Sequence, residues 1–125
     1  MPKINSFNDL IVYQKAYKIS MEIFKLTNEF PKEEKYSLVD QIRRSSRSVC
    51  ANISESWAKR KNEKVFVNKL TDSLGEEFET ETWLNYSLDC KYIEINEYSE
   101  LIEQYAEVRK MLISMINNPE KFYKK

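Results

Sequence analysis

One glycine and three prolines in 125 residues are the tightest constraint this chain places on its own fold. Turns and hairpins draw on residues that tolerate or impose unusual backbone angles, so this supply suits only a few chain reversals. Leucine, glutamate and lysine, which lose little side-chain freedom in a helix, are abundant instead. The expectation is an all-α chain of long helices and short connections. Its length suits one domain over residues 1–125, able to bury on the order of two thirds of its unfolded surface.

Helical periodicity divides the chain into four segments. Ser6, with the Asp9 carboxylate three positions on, forms a variant of the capping box and opens a helix over 8–28. Val12, Ala16, Ile19, Ile23 and Leu26 make its apolar stripe, widened by Tyr17, Met21 and Phe24, and Phe30-Pro31 closes it. Ser37 and Asp40 repeat the cap pattern ahead of a second helix over 38–58, whose seam is Val39, Ile42, Ser46, Val49, Ile53 and Ser56 or Trp57. Two serines in that seam predict a close crossing with another helix. Asn62 opens a third helix over 63–90, with Val67, Leu70, Leu74, Phe78, Leu84 and Leu88 inward and Gly75 tolerated inside. Asn96 caps a fourth over 97–117, built on Leu101, Ile102, Tyr105, Val108, Leu112, Met115 and Ile116, and Lys121 to Lys125 form a short tail. Each helix is roughly 30 Å long at 1.5 Å per residue. Matched helices with brief connections predict an up-down-up-down four-helix bundle.

Charge is neutral in sum, with 20 basic and 20 acidic side chains, but it is arranged in blocks. Residues 41–71 carry eight basic and two acidic groups; residues 72–107 carry one basic and eleven acidic. Such blocks make neighbouring helices complementary or reserve a face for a partner.

The inventory of reactive groups is short. There is no histidine, and the two cysteines, Cys50 and Cys90, are too few for a structural zinc site; both fall on expected apolar faces. No metal and no cofactor is expected. A carboxylate-bridged di-metal bundle needs Glu-x-x-His motifs, and a P-loop needs several glycines. An enzyme built on the interior glutamates is therefore a distant rival, and neither a catalytic residue nor a small-molecule substrate is expected. The N-terminus lacks a signal-peptide core and no apolar run approaches a membrane span, which predicts a cytoplasmic location.

Binding has more to work with. Gln41 to Lys61 packs Arg43, Arg44 and Arg47 beside small hydroxyl residues and ends on Lys59, Arg60 and Lys61, followed by Lys64. Arg47, Lys59, Arg60, Lys61 and Lys64 are candidate nucleic-acid contacts, with Trp57 as a stacking surface. The structural alternative pairs Arg43, Arg44 or Arg47 with the glutamates of the third helix.

Several stretches, in order, resemble a known family: Phe7-Asn8-Asp9-Leu10-Ile11-Val12-Tyr13-Gln14-Lys15-Ala16; Gln41-Ile42-Arg43-Arg44-Ser45-Ser46; Ser48-Val49 and Ala51-Asn52-Ile53-Ser54-Glu55; then Glu76, Glu79-Thr80 and Trp83-Leu84. They are similar to bacterial four-helix-bundle proteins encoded in intervening sequences of 23S ribosomal RNA genes. The resemblance implies a bundle assembling as a homopentameric barrel, similar in shape to the basic accessory protein of diversity-generating retroelements, a protein thought to engage nucleic acid. It also implies a structural polar network of Arg43, Arg44, Asn52, Glu55, Glu76 and Thr80. The chain departs from the family at Ser56-Trp57-Ala58, where glycines are common, and at Arg47, where a small residue is usual. The resulting expectation is a non-enzymatic homo-oligomer that touches RNA, DNA or a nucleoprotein. Its alternative is a protein-only adaptor that recognises a protein partner through charged faces.

Overall fold

The computed structural model describes residues 3–123. Four long helices, α1 (Ile11–Thr27), α2 (Leu38–Ala58), α3 (Glu63–Asp89) and α4 (Ile95–Asn117), precede a one-turn α5 (Glu120–Tyr123), and there is no strand among the described residues. α1 packs on α2, α2 on α3, α3 on α4, and α4 back on α1. Cross-helix bonds fix the directions. Arg43 meets Thr27, Glu55 meets Lys69, Ser45 meets Thr80, Asn85 meets Tyr98 and Lys15 meets Glu107, so each neighbouring pair is antiparallel. No helix among the described residues is long and apolar enough to cross a membrane.

One apolar core runs along the bundle axis. Ala16, Ile19 and Ile23 of α1, Ile42, Val49 and Ile53 of α2, Phe66, Leu70 and Leu84 of α3, and Tyr105, Val108 and Leu112 of α4 are buried in it. Each large aliphatic side chain so buried stabilises the fold by about 1.5–3 kcal/mol. Where α2 faces α3 the contact is made by small hydroxyl residues: Thr80 donates to Ser45 at 2.8 Å and Ser73 to the Val49 carbonyl at 2.8 Å. Short side chains bring the two backbones together, and these bonds keep the buried hydroxyls paired.

The helix ends differ from expectation in ways that local hydrogen bonds explain. Ser6 and Asp9 do form a capping box, but it encloses a single 3-10 turn, Phe7–Asp9. The chain extends again at Leu10, which is buried, and α1 starts at Ile11 rather than residue 8. Ser37 does not cap α2. Its hydroxyl donates to Glu34 at 2.6 Å, and the same carboxylate oxygen accepts from the Leu38 amide, so the preceding 3-10 turn supplies the cap. Asn62 caps α3 by accepting from the Val65 amide at 3.2 Å. Asn96 lies inside α4, because Glu94 and Glu97 close a capping box and start that helix at Ile95. Of the tail expected over 121–125, residues 121–123 belong to α5, and residues 124 and 125 lie outside the described residues.

Two faces also differ. Phe78 is half-exposed, whereas the buried stripe of α3 is Phe66, Leu70, Ser73, Glu77, Thr80, Leu84 and Ser87. Polar side chains occupy four of those seven positions, so apolar spacing finds Leu70 and Leu84 and the flanking Val67, Leu74 and Leu88 but misses the polar centre of the buried face. On α1, Tyr17 and Met21 are exposed rather than part of the core, and Cys90 is exposed, whereas Cys50 is buried.

Candidate nucleic-acid interface

The turn from α2 into α3 gathers the basic side chains. α2 ends at Ala58 because Lys59 leaves helical geometry while its amide still bonds back to the Glu55 and Ser56 carbonyls. Lys59, Lys61 and Lys64 project from this turn and are exposed. None of the three forms an ion pair among the described residues. Arg60 behaves differently: its guanidinium lies 4.0 Å from the Trp57 ring centroid and donates to the Trp57 carbonyl at 2.8 Å. That packing holds a flat cation on a flat ring at the surface, an arrangement suited to stacking as well as to phosphate.

Arg47 lies apart from that turn, on the face α2 shares with α1, 5.8 Å from the Phe24 ring. Arg43 points the same way. It donates to Thr27 at 2.9 Å, Asn28 at 3.0 Å and the Phe24 carbonyl, which ties it to the C-terminal turn of α1 rather than to the glutamates of α3. A cation there satisfies helix-end carbonyls and favours the negative end of the α1 dipole.

The α2–α3 polar contacts fall in two separate groups. Arg44 spans to Glu76 at 3.0 Å and Glu79 at 2.7 Å, and Glu79 also accepts from the Trp83 indole. The Arg44 hydrogen bond holds the Glu79 carboxyl below the usual carboxylate range. Thr80, one turn from Glu76, is buried and bonded to Ser45. Nearer the basic turn, Lys69 pairs with Glu55 at 2.7 Å and Asn52 turns its amide back to the Ser48 carbonyl. Asn52 and Glu55 thus share Lys69, and Arg44, Glu76 and Thr80 cluster further along; Arg43 belongs to neither group.

The most unusual polar group is one of the α3 glutamates, outside the expected site residues. Glu77 is 0% exposed, and neither of its carboxylate oxygens has a hydrogen-bond partner. Arg109 of α4 comes within 3.5 Å but is bonded to Glu81 at 2.5 Å. Burial, reinforced by Glu81, pushes the Glu77 carboxyl up to about 9, so it is neutral at pH 7. The hydroxyl of Tyr105 is also buried without a partner, and burial raises its pKa. A signal for Glu77 existed in the sequence: Leu70, Ser73, Glu77, Thr80 and Leu84 step by three and four.

The remaining chemistry is quiet. Burial raises the Cys50 thiol to about 11, which removes it as a nucleophile at neutral pH. No group of three or more His, Cys, Asp or Glu side chains able to hold a metal ion occurs among the described residues.

The sequence profile described as 23S rRNA-intervening sequence protein matches residues 8–114. The structure is similar to the 1.70 Å crystal structure of a protein of unknown function from the S23 ribosomal protein family of Bacteroides thetaiotaomicron VPI-5482, with a TM-score of 0.76 and 31% identity. The similarity covers 86% of this chain and 96% of that one. No curated protein matches the chain. With four long helices, a profile match through most of its length and a relative of that fold, the chain belongs to the 23S rRNA-intervening sequence protein family.

Proposed function

We propose that this protein is a non-enzymatic, homo-oligomeric helical bundle that contacts RNA, alone or in a nucleoprotein, through the α2–α3 turn. The observation that carries the proposal is the cluster of exposed Lys59, Lys61 and Lys64, outside every intramolecular ion pair described, next to Arg60 stacked on Trp57. Charge meets phosphate there, and the guanidinium–indole stack offers a platform for an unpaired base. Both matched family names refer to ribosomal RNA or the ribosome, which makes structured RNA the first ligand to try. In a homopentameric ring each subunit contributes one such turn, so contacts that are weak singly add by avidity. The absence of catalysis is supported by Glu77, the most deeply buried carboxylate, which is sealed in the core and held neutral.

Gel shift with ribosomal RNA fragments tests the reading. Binding at low salt is expected, lost in a Lys59→Glu, Lys61→Glu, Lys64→Glu variant that melts like the wild type. If the assembled wild-type protein binds no RNA at low salt, the RNA reading fails. The protein-adaptor reading, favoured by the neutral overall charge, then takes its place.

A further inference from the structure

The outer face between α1 and α2 carries side chains that a solitary bundle has no use for. Tyr13, Tyr17, Met21 and Phe24 line its α1 side, with Tyr17 and Met21 51% and 41% exposed. Across from them Arg43 and Arg47 lie over the Phe24 ring at 4.5 Å and 5.8 Å. Neither arginine is in an ion pair among the described residues. A groove of about 380 Å³ opens between the helices, and no lysine, aspartate or glutamate lines it. Aromatic residues, methionine and arginine are enriched in the cores of protein interfaces, and lysine and carboxylates are depleted there. An RNA surface would hold more than one free cation; here Arg43 is already committed to α1.

The matching surface is on the same chain. Residues 72–107 carry eleven acidic side chains and one basic. Within them α3 displays Phe78 and Tyr86, both more than half exposed, and Asp72, exposed and in no ion pair among the described residues. α3 is not a packing neighbour of α1, and none of its side chains lines the α1–α2 groove, so the two surfaces are separate on one copy.

We propose that the α1–α2 face of one copy receives the outer face of α3 from a second copy. Phe78 and Tyr86 cover Tyr17 and Met21, and the acidic segment neutralises Arg47. The two faces differ, so the contact is head-to-tail and repeats from copy to copy, closing into a ring if the rotation permits. This rests on the homo-oligomer proposed above and names its mating surfaces.

Two variants, each altering one exposed position, test it by light scattering, with circular dichroism to verify the fold. Met21→Glu spoils one face and Phe78→Asp the other. Each alone should fall from the wild-type oligomer to a monomer. Mixed in equal amounts, they should form a species of twice the chain mass and nothing larger, since each retains the face its partner lost. Several results would overturn the assignment: an oligomer that survives either substitution, a mixture that stays monomeric, or Met21→Glu abolishing RNA binding with the mass unchanged, which would make the groove an RNA surface. A wild-type protein that is itself monomeric would defeat the underlying oligomer reading instead.

Discussion

In the folded chain Glu77 lies 3.5 Å from Arg109, but that guanidinium is already bonded to Glu81, and both Glu77 oxygens remain unpaired. Desolvation without a hydrogen bond favours the neutral acid. The sign of the pH effect follows. The folded value, about 9, is above the ordinary 4.5, so the folded state holds a proton that the unfolded chain releases. Stability is greatest below about pH 4.5 as far as this group is concerned, and it falls as pH rises towards 9. The slope reaches at most about 1.4 kcal/mol per pH unit. Thermal melts from pH 5 to 9 should show Glu77→Gln gaining on the wild type as pH rises; parallel curves would sink this account. Arg44, whose side chain is 49% exposed, is a different case. Solvent screens its two ion pairs, so Arg44→Ala should cost no more than about 1 kcal/mol in denaturant unfolding. The sequence offers Arg43, Arg44 or Arg47 to the α3 glutamates, and the pairing formed is Arg44 with Glu76 and Glu79, while Arg43 turns to α1 and Glu77 meets no arginine of α2. The glutamates of α3 were recognised as partners for arginine, but which arginine reaches them depends on the direction each leaves α2.

At the level of the element, hydrogen-bonding partners matter more than propensity. α3 ends in a Schellman motif: the Lys91 amide bonds to the Leu88 carbonyl and the Tyr92 amide to the Ser87 carbonyl, both at 2.9 Å. Lys91 sits at φ 65°, the left-handed region that favours glycine. Lys91→Gly should therefore raise stability by up to about 1 kcal/mol in denaturant melts, the relief of the Cβ strain being partly offset by glycine's entropy. A loss of stability would show that the lysine side chain has a role at that turn. Tyr92, just past the turn, packs on Phe30 and donates to Glu34 at 2.8 Å, which joins the α3–α4 connection to the α1–α2 one. Nothing local in the sequence marks that bond, because its partners are 58 residues apart. The stripes of α1, α2 and α4 are legible because their buried positions are mostly apolar, while that of α3 is obscured by Ser73, Glu77, Thr80 and Ser87.

On the scale of the whole molecule, a sum of zero conceals an uneven surface. The basic block and the acidic block are adjacent in sequence, and α2 and α3 neutralise part of each other through Arg44, Glu76 and Glu79 and through Lys69 and Glu55. What is left over on the α2–α3 turn is three lysines and a stacked arginine. If that turn is the RNA site, about four phosphate contacts per subunit give a modest salt dependence, with log K falling by roughly 3 per tenfold rise in salt for single strands. A titration from 50 to 300 mM salt measures this, and affinity indifferent to salt would exclude a phosphate-led contact.

The sequence by itself determined that this chain is helical and where its turns lie, because scarce glycine and proline and the three-to-four spacing of apolar residues act over short range. Only the tertiary structure decided which polar side chains are buried, which arginine meets which carboxylate, and which apolar side chains remain outside. Those outcomes depend on how four amphipathic helices rotate to share one core. Serine, threonine and even a protonated glutamate can occupy buried positions once a neighbouring helix comes close, while tyrosine, methionine and phenylalanine can be left on the surface.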